Sequence, residues 1–314
     1  MPDIVVMFFL LGVLAGLVRS DLTIPKAAYD VLSLLLMLTI GLKGGLALNG
    51  SVSGGLLVEL TGVLMLGFTL PLLIFLVMRW LVRLSLADSA SFSAHYGSVS
   101  AGTFAVALAY AHSNGLTLGG QATLYLVVLE LPAIMVALAL FRHLGKDKRA
   151  NMRGIWHETL TNRGVILLAG GLVIGWLYGP DAGEQVIGLY TNAFHGVLAL
   201  FLLEMGMVAA KSLQGIRPGH WRVIVFALLA PPILSFAGMA MALLLGLPMG
   251  SALILATLTA SASYIAAPVA VRSGIPNADI GLAMLASLGV TFPFNVLVGI
   301  PLYHWLLQML GAGV

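Results

Sequence analysis

The chain has 314 residues, of which 60% are hydrophobic and only 9% are charged. A soluble domain carries about a quarter of its residues as charged side chains, so this composition excludes a soluble fold and makes lipid the expected solvent. The absence of cysteine excludes disulfides and thiolate metal sites, and a net charge of only +3 does not favour a nucleic-acid partner.

Apolar blocks of about the length that spans a bilayer repeat along the whole chain. Dividing them at Gly, Pro, Asn and charge clusters predicts an all-α polytopic membrane protein with ten transmembrane helices. The fourth and ninth carry Ser, Gly and Pro where a helix facing lipid would carry Leu, so we expect both to be broken. The predicted spans are residues 3–18, 28–48, 56–81, 90–112, 119–142, 163–179, 188–209, 221–246, 250–273 and 283–309.

The basic residues support this count. Of the 15 Lys and Arg residues, all but Lys43 fall in or beside the connections that follow odd-numbered spans. The connections after spans two, four, six and eight contain neither Lys nor Arg. The positive-inside rule makes the basic side cytoplasmic and places both termini outside. The first span lacks a basic leader and a cleavage site, so it is predicted to be retained.

Segments of the two halves align in the same order along the chain. Each half holds five spans, an odd number, so the second half must enter the membrane inverted relative to the first. We predict a first inverted repeat over 1–142, a cytoplasmic linker over 143–162 and a second repeat over 163–314. The aligned pairs are 40–48 with 205–213, 98–115 with 261–274, and Leu131-Pro132 with Phe292-Pro293.

The two predicted helix breaks are the candidate binding site. Pro268 removes an amide donor from the ninth span, and irregular backbone at membrane depth is tolerated only where it lines protein or a water-filled cavity. Facing breaks present helix N-termini that suit an anion, and carbonyls and hydroxyls that suit sodium. The alternative is that small residues simply allow close packing. The substrate-binding candidates are Ser98, Ser100, Gly102, Thr103, Ser261, Ser263 and Tyr264.

Charged residues inside the spans are the next candidates. Glu130 lies in mid-span, where a carboxylate is expected to be functional, as a cation ligand or a proton carrier. A structural ion pair with Lys43 is the alternative, and Glu204 resembles Glu130 but lies nearer the interface. His95 and His195 are expected to be packing residues. No ATP-binding, protease or hydrolase motif occurs, so an enzyme is not expected.

At these residues the chain resembles the SbtA-type sodium-dependent bicarbonate transporter family. The resemblance covers nearly the whole chain. It rests on "IGLKGGLAL", "GSVSAGT", "LELPAI", "SASYIAAPVAVRSGIP" and "IPLYHWLLQML".

The resemblance implies a multi-pass protein of the bacterial inner membrane with both termini periplasmic. It implies a homotrimer that takes up bicarbonate with sodium by an elevator-like motion, has no cofactor besides the coupling sodium, and is open to a PII-like cytoplasmic regulator. Its anion and sodium would bind between the broken helices. The cation ligands it suggests are Glu130, Ser100 and Ser263.

The chain also departs from the cyanobacterial pattern of that family. Tyr264 stands where those members carry an acidic residue, Ala266-Ala267 replaces Ser-Gly, and Glu130 replaces Asp. The lost acid leaves two alternatives open. One is a proton-coupled or exchange transporter of another small carboxylate, with Glu130 as the carrier. The other is a membrane sensor that binds its ligand without transporting it.

Overall fold

The computed structural model describes residues 4–50, 54–145, 161, 163–275 and 277–311, and this part of the chain is helical with short connections. The helices are α1 (Ile4–Leu17), α2 (Lys26–Leu48), α3 (Gly54–Leu76, continued by a π-helical turn over Val77–Val82), α4 (Leu86–Gly97), α5 (Ala101–Ser113), α6 (Ala122–Leu144), α7 (Arg163–Pro180), α8 (Val186–Leu213), α9 (Trp221–Leu244), α10 (Met249–Thr259), α11 (Ala266–Gly274) and α12 (Ile280–Met309).

Seven helices in the described ranges are long and apolar enough to cross a bilayer, namely α2, α3, α6, α7, α8, α9 and α12. The protein is therefore a multi-pass membrane protein. Helix α1 is apolar but has 14 residues, fewer than the roughly 20 of a typical span. The remaining predicted spans are the pairs α4–α5 and α10–α11, in which neither helix reaches that length.

The helix boundaries lie within a few residues of the predicted spans. Helicity stops after Gly97 and after Thr259, inside the fourth and ninth predicted spans. Most of the predicted linker, 146–160 and 162, lies outside the described residues.

The sequence predicts a non-helical connection between the sixth and seventh spans, but the structure differs. Helical geometry runs through this region and is interrupted at Gly179, whose φ is +63° and ψ is −173°. Glycine reaches this backbone conformation without steric cost, and Pro180 follows directly. The Asn49 side-chain amide donates to the Trp176 carbonyl at 2.7 Å, so a neighbouring helix end satisfies a carbonyl near the bend.

Small residues join α1 and α2 to the helices of the second half. Gly41 and Gly45 of α2 lie against Gly171 and Gly175 of α7, with a β-carbon on Gly45 only 2.8 Å from the Gly175 Cα. Small residues spaced four apart let two helix backbones approach closely in lipid. The same device joins α1 to α8, where Gly12 and Gly16 face Gly206 and Ala210.

The other helices form a second group around the two helix breaks. Helices α3, α4 and α6 pack together, as do α9, α10 and parts of α12. Helix α12 contains two π-helical turns, Leu285–Thr291 and Asn295–Gly299, on either side of Pro293. Such turns re-aim side chains and are frequent at functional sites. Both turns lie beside the breaks, since Thr291 contacts Tyr96 and Asn295 contacts the Ala260 carbonyl.

Candidate binding site at the two helix breaks

The first break separates α4 from α5 by three residues. Ser98 and Ser100 have extended backbones, with φ and ψ of −88° and 178° and of −110° and 117°. The Ser100 hydroxyl then accepts the Thr103 amide at 3.1 Å, which makes Ser100 the N-cap of α5. Serine favours this position because its oxygen satisfies an amide that the helix leaves free. The amide end of α5 therefore points into the break.

The second break runs from Ala260 to Ile265, between α10 and α11. The N-cap of α11 is Ile265, whose side chain makes no capping bond, but the Ser263 hydroxyl two residues earlier accepts the Ala267 amide at 3.2 Å and so caps the helix start in its place. Pro268 falls in the first turn of α11, where the missing amide breaks no intrahelical hydrogen bond. The proline thus begins the second half-helix, and the break itself lies before it.

The two breaks are bonded directly to each other, although they lie more than 160 residues apart in sequence. The Ser100 amide donates to the Ser261 hydroxyl at 3.0 Å. The Ser263 amide donates to the His95 carbonyl at 2.7 Å. All four residues are buried. The structure therefore brings together the two halves of the predicted site.

Tyr264 reaches from the second break onto the first. A methyl group on Gly102 would overlap the Tyr264 hydroxyl and would lie 3.0 Å from the edge of the Phe201 ring. The hydroxyl is near Ser100 but is not in hydrogen-bond geometry with any described residue. The Tyr264 ring is held edge-on against Phe292, with 5.5 Å between centroids. An unpaired polar group therefore points at the N-terminus of α5.

Helix α12 supplies site-lining residues that the sequence interpretation missed. The Asn295 amide donates to the Ala260 carbonyl at 2.9 Å and so satisfies the end of α10. The Asn295 oxygen in turn accepts the Tyr303 hydroxyl at 2.7 Å. The Thr291 hydroxyl lies 2.8 Å from the Tyr96 hydroxyl beside the first break. The sequence signal that could have identified these residues is the presence of polar Thr291 and Asn295 on either side of Pro293, within an otherwise apolar span.

Glu130 lies beside the first break through its backbone. The Ser98 hydroxyl donates to the Glu130 carbonyl at 3.3 Å. Within the described ranges the carboxylate has neither a hydrogen bond nor an ion pair. The ion pair with Lys43 is not formed there, because the Lys43 ammonium lies 4.2 Å above the centre of the Phe194 ring. A partly buried carboxylate without a Lys or Arg partner among the described residues therefore lies near the site.

Glu204, His95 and His195, the other ionisable candidates from the sequence, differ in their local contacts. One Glu204 carboxylate oxygen is buried without a hydrogen-bond partner among the described residues. His95 is fully buried, with Nδ1 2.7 Å from the Ser91 carbonyl, and no residue that the structure describes is hydrogen-bonded to Nε2. His195 packs edge-on against Phe194, which agrees with a packing residue.

Glu59 is a second acidic residue that the sequence interpretation missed. It is 9% exposed, and its oxygens accept the Gln121 amide at 2.9 Å and the Tyr125 hydroxyl. Each Glu59 oxygen thus accepts a hydrogen bond from a neutral donor, whereas the Glu130 carboxylate has no such donor among the described residues.

The arrangement suits an anion and a small monovalent cation better than a transition metal. Two helix N-termini meet between α4–α5 and α10–α11, and amides at helix starts favour negative charge. Hydroxyls, carbonyls and the nearby Glu130 carboxylate are hard oxygen donors. Across the described residues, no group of three or more His, Cys, Asp or Glu side chains gathers in metal-binding geometry.

Comparison with known proteins agrees with a site for an anion and a small monovalent cation. The family model for the Na+-dependent bicarbonate transporter superfamily matches residues 4–308. No curated protein matches the chain. The family match spans nearly the whole sequence, including both helix breaks. The chain therefore belongs to the Na+-dependent bicarbonate transporter superfamily, a family of transporters and not of enzymes.

Proposed function

We propose that the protein takes up bicarbonate, or a similar small anion, together with sodium, as a secondary active symporter. The observation that carries this proposal is the direct bonding of two serine-capped helix breaks, with the unpaired Tyr264 hydroxyl between them. The anion binds at the N-termini of α5 and α11, where amides and the helix dipole favour negative charge. Its contacts are Ser98, Ser100, Gly102, Thr103, Ser261, Ser263 and Tyr264.

Sodium binds beside the anion on oxygen ligands. Glu130 supplies the negative charge, and the hydroxyls of Ser100 and Ser263 supply neutral oxygens. Each ion lowers the cost of burying the other, because opposite charges attract strongly where water is scarce. This mutual stabilisation couples uptake to the inward sodium gradient.

The proposed architecture is ten crossings in two inverted five-helix repeats, covering 1–142 and 163–314. The small-residue contacts support it. The alignment that shifts 40–48 onto 205–213 carries Gly41 and Gly45 of α2 onto Gly206 and Ala210 of α8. Both pairs pack on a helix of the opposite half, α7 and α1 respectively. Exchange of equivalent contacts is what an inverted repeat requires.

The proposed motion is elevator-like. Helices α1, α2, α7 and α8 would form a scaffold, and the remaining helices a core that carries the breaks across the membrane. What supports this division is the packing of α1 and α2 on α7 and α8. Tyr29 of α2 stacks on Phe201 of α8 at 5.8 Å, and Phe201 faces Gly102, so the scaffold borders the site.

We further propose a homotrimer in the bacterial inner membrane with both termini periplasmic. The distribution of Lys and Arg supports the orientation. A PII-like regulator would dock on the cytoplasmic face.

A proton-coupled or exchange transporter of another small carboxylate is the second candidate. Two observations favour it: the Glu130 carboxylate has no cation among the described residues, and Glu204 keeps one buried, unpaired oxygen. An intramembrane carboxylate without a partner can bind either a proton or a cation. The two candidates differ in the gradient that drives uptake.

Uptake of labelled bicarbonate into proteoliposomes separates these candidates. We expect rapid uptake with an inward sodium gradient and little with choline. Uptake driven by a proton gradient alone would favour the second candidate. Saturable binding without flux would favour a membrane sensor.

The variant Ser263→Ala tests the site in the same assay. It removes the α11 cap and a proposed ligand, so uptake should fall roughly tenfold. Ser273→Ala is the matched control, since this exposed serine of α11 donates to the Val269 carbonyl and its hydroxyl has no other partner in the described ranges. It should transport at the wild-type rate.

A further inference from the structure

We propose that the protein binds an anionic phospholipid in a groove between α3 and α9, a site separate from the transport site. The groove encloses about 700 Å³ and is apolar along its length. Two arginines, Arg83 and Arg222, stand at one end of it. The acyl chain would lie along the apolar walls, and the phosphate would bind between the guanidinium groups.

The two arginines belong to the same membrane end because α3 and α9 run in opposite directions. Arg83 follows the last turn of α3, and Arg222 is the second residue of α9. The positive-inside rule assigns this end to the cytoplasm. Basic pockets between helices on that side are suited to anionic lipid headgroups.

The groove has the length of one lipid leaflet. Its walls run from Leu73 on α3 to Arg83, the residue after α3, and from Trp221 to Leu234 on α9. At 1.5 Å per residue these stretches are roughly 15–20 Å long, which is close to half of the hydrocarbon thickness of about 30 Å. The groove therefore fits an acyl chain from the leaflet that carries the arginine end.

The arginines are held at headgroup level and are free to bind a phosphate. Arg83 has a left-handed backbone, with φ of +65°, and its amide donates to the Met78 carbonyl. The Arg222 guanidinium lies 5.3 Å from the Trp221 ring, and tryptophan favours the membrane interface. Within the described part of the chain, neither arginine forms an ion pair. Charge complementarity thus selects an anionic lipid over a zwitterionic one.

Native mass spectrometry of the purified protein with phosphatidylglycerol or phosphatidylcholine tests the proposal. We expect bound phosphatidylglycerol on the wild type, and at least roughly fivefold less on the double variant Arg83→Gln/Arg222→Gln. The matched control Arg19→Gln/Arg142→Gln removes the same charge from the same membrane end and should bind as the wild type. Equal binding by all three proteins, or equal binding of the two lipids, would overturn the proposal. A change in oligomeric mass caused by Arg83→Gln/Arg222→Gln would also overturn the proposal, because it would indicate that a second copy of the chain covers the groove.

Fluorescence provides a measurement that does not depend on the arginine variants. Phosphatidylglycerol with brominated acyl chains should quench part of the tryptophan emission in the wild type, and that part should disappear in Trp221→Phe. Brominated phosphatidylcholine should quench Trp221 less at the same concentration. Equal quenching by both lipids would contradict selective binding at this groove.

Discussion

Replacing Gly102 with alanine is expected to reduce sodium-dependent bicarbonate uptake at least roughly tenfold. The added methyl group would overlap the Tyr264 hydroxyl, and the Phe201 ring is 3.0 Å from the same point. Phe201 is 1% exposed, so the ring has little room to move. The two breaks would be forced apart where the anion binds. Initial rates in proteoliposomes, with protein amount matched, measure the effect.

The double variant Gly102→Ala/Tyr264→Phe tests whether this overlap is the cause. Removing the hydroxyl leaves the ring carbon that bore it at 3.4 Å from the new methyl group, an ordinary contact distance. If the clash explains the loss, the double variant should recover more uptake than the product of the single effects predicts. No recovery would indicate that the remaining 3.0 Å approach to the Phe201 ring causes the loss, or that the Tyr264 hydroxyl is itself required. Tyr264→Phe alone distinguishes these two outcomes.

The second large effect is expected at Glu130. Glutamine keeps the volume of the side chain and removes the charge, so Glu130→Gln should raise the half-saturating sodium concentration roughly hundredfold. The carboxylate has no cation in the described part of the chain, and the Ser98 hydroxyl fixes its backbone beside the first break. Uptake rates across a series of sodium concentrations give the result.

Glu59→Gln is the matched control for that substitution. Glu59 is also a carboxylate within a predicted span, but its hydrogen bonds to Gln121 and Tyr125 already satisfy it. The half-saturating sodium concentration of Glu59→Gln should stay within roughly twofold of the wild-type value. If Glu130→Gln instead abolishes net uptake but preserves exchange of bicarbonate for bicarbonate, Glu130 carries a proton. That outcome would replace sodium coupling with the second candidate function.

The positions of the helices and of both breaks could be predicted from the sequence because their signals are local. Runs of apolar residues mark each span, and the fourth and ninth differ in carrying clusters of serine with glycine or proline where a helix facing lipid would carry Leu. The basic residues add an independent check, since a wrong span count would scramble their sides. The breaks at Ser98 and Ser261 follow from those signals.

The contacts between the breaks could not be predicted, because they join residues far apart in sequence. Nothing local indicates that Ser261 accepts the Ser100 amide, or that Tyr264 covers Gly102. The sequence predicts Ser100 and Ser263 as ligands. It does not predict that their hydroxyls accept amide hydrogen bonds at the starts of α5 and α11.

The π-helical turns of α12 were also beyond the sequence patterns. They depend on tertiary contacts that a hydropathy profile does not contain. Asn295 bonds to the Ala260 carbonyl, and Thr291 contacts Tyr96 and donates to the Ala227 carbonyl. Lys43 is a similar case: composition favours an ion pair, but the side chain lies over Phe194.

The most direct test of the binding site is ligand protection of a single cysteine at its centre. The chain has no native cysteine, so Ala101→Cys introduces one thiol at the first residue of α5, and Ser273→Cys one at an exposed position of α11. We expect sodium with bicarbonate to slow maleimide labelling at position 101, while either choline bicarbonate or sodium chloride alone protects much less. Labelling at position 273 should not change. Equal labelling rates at position 101 under all conditions would contradict a site between the two breaks.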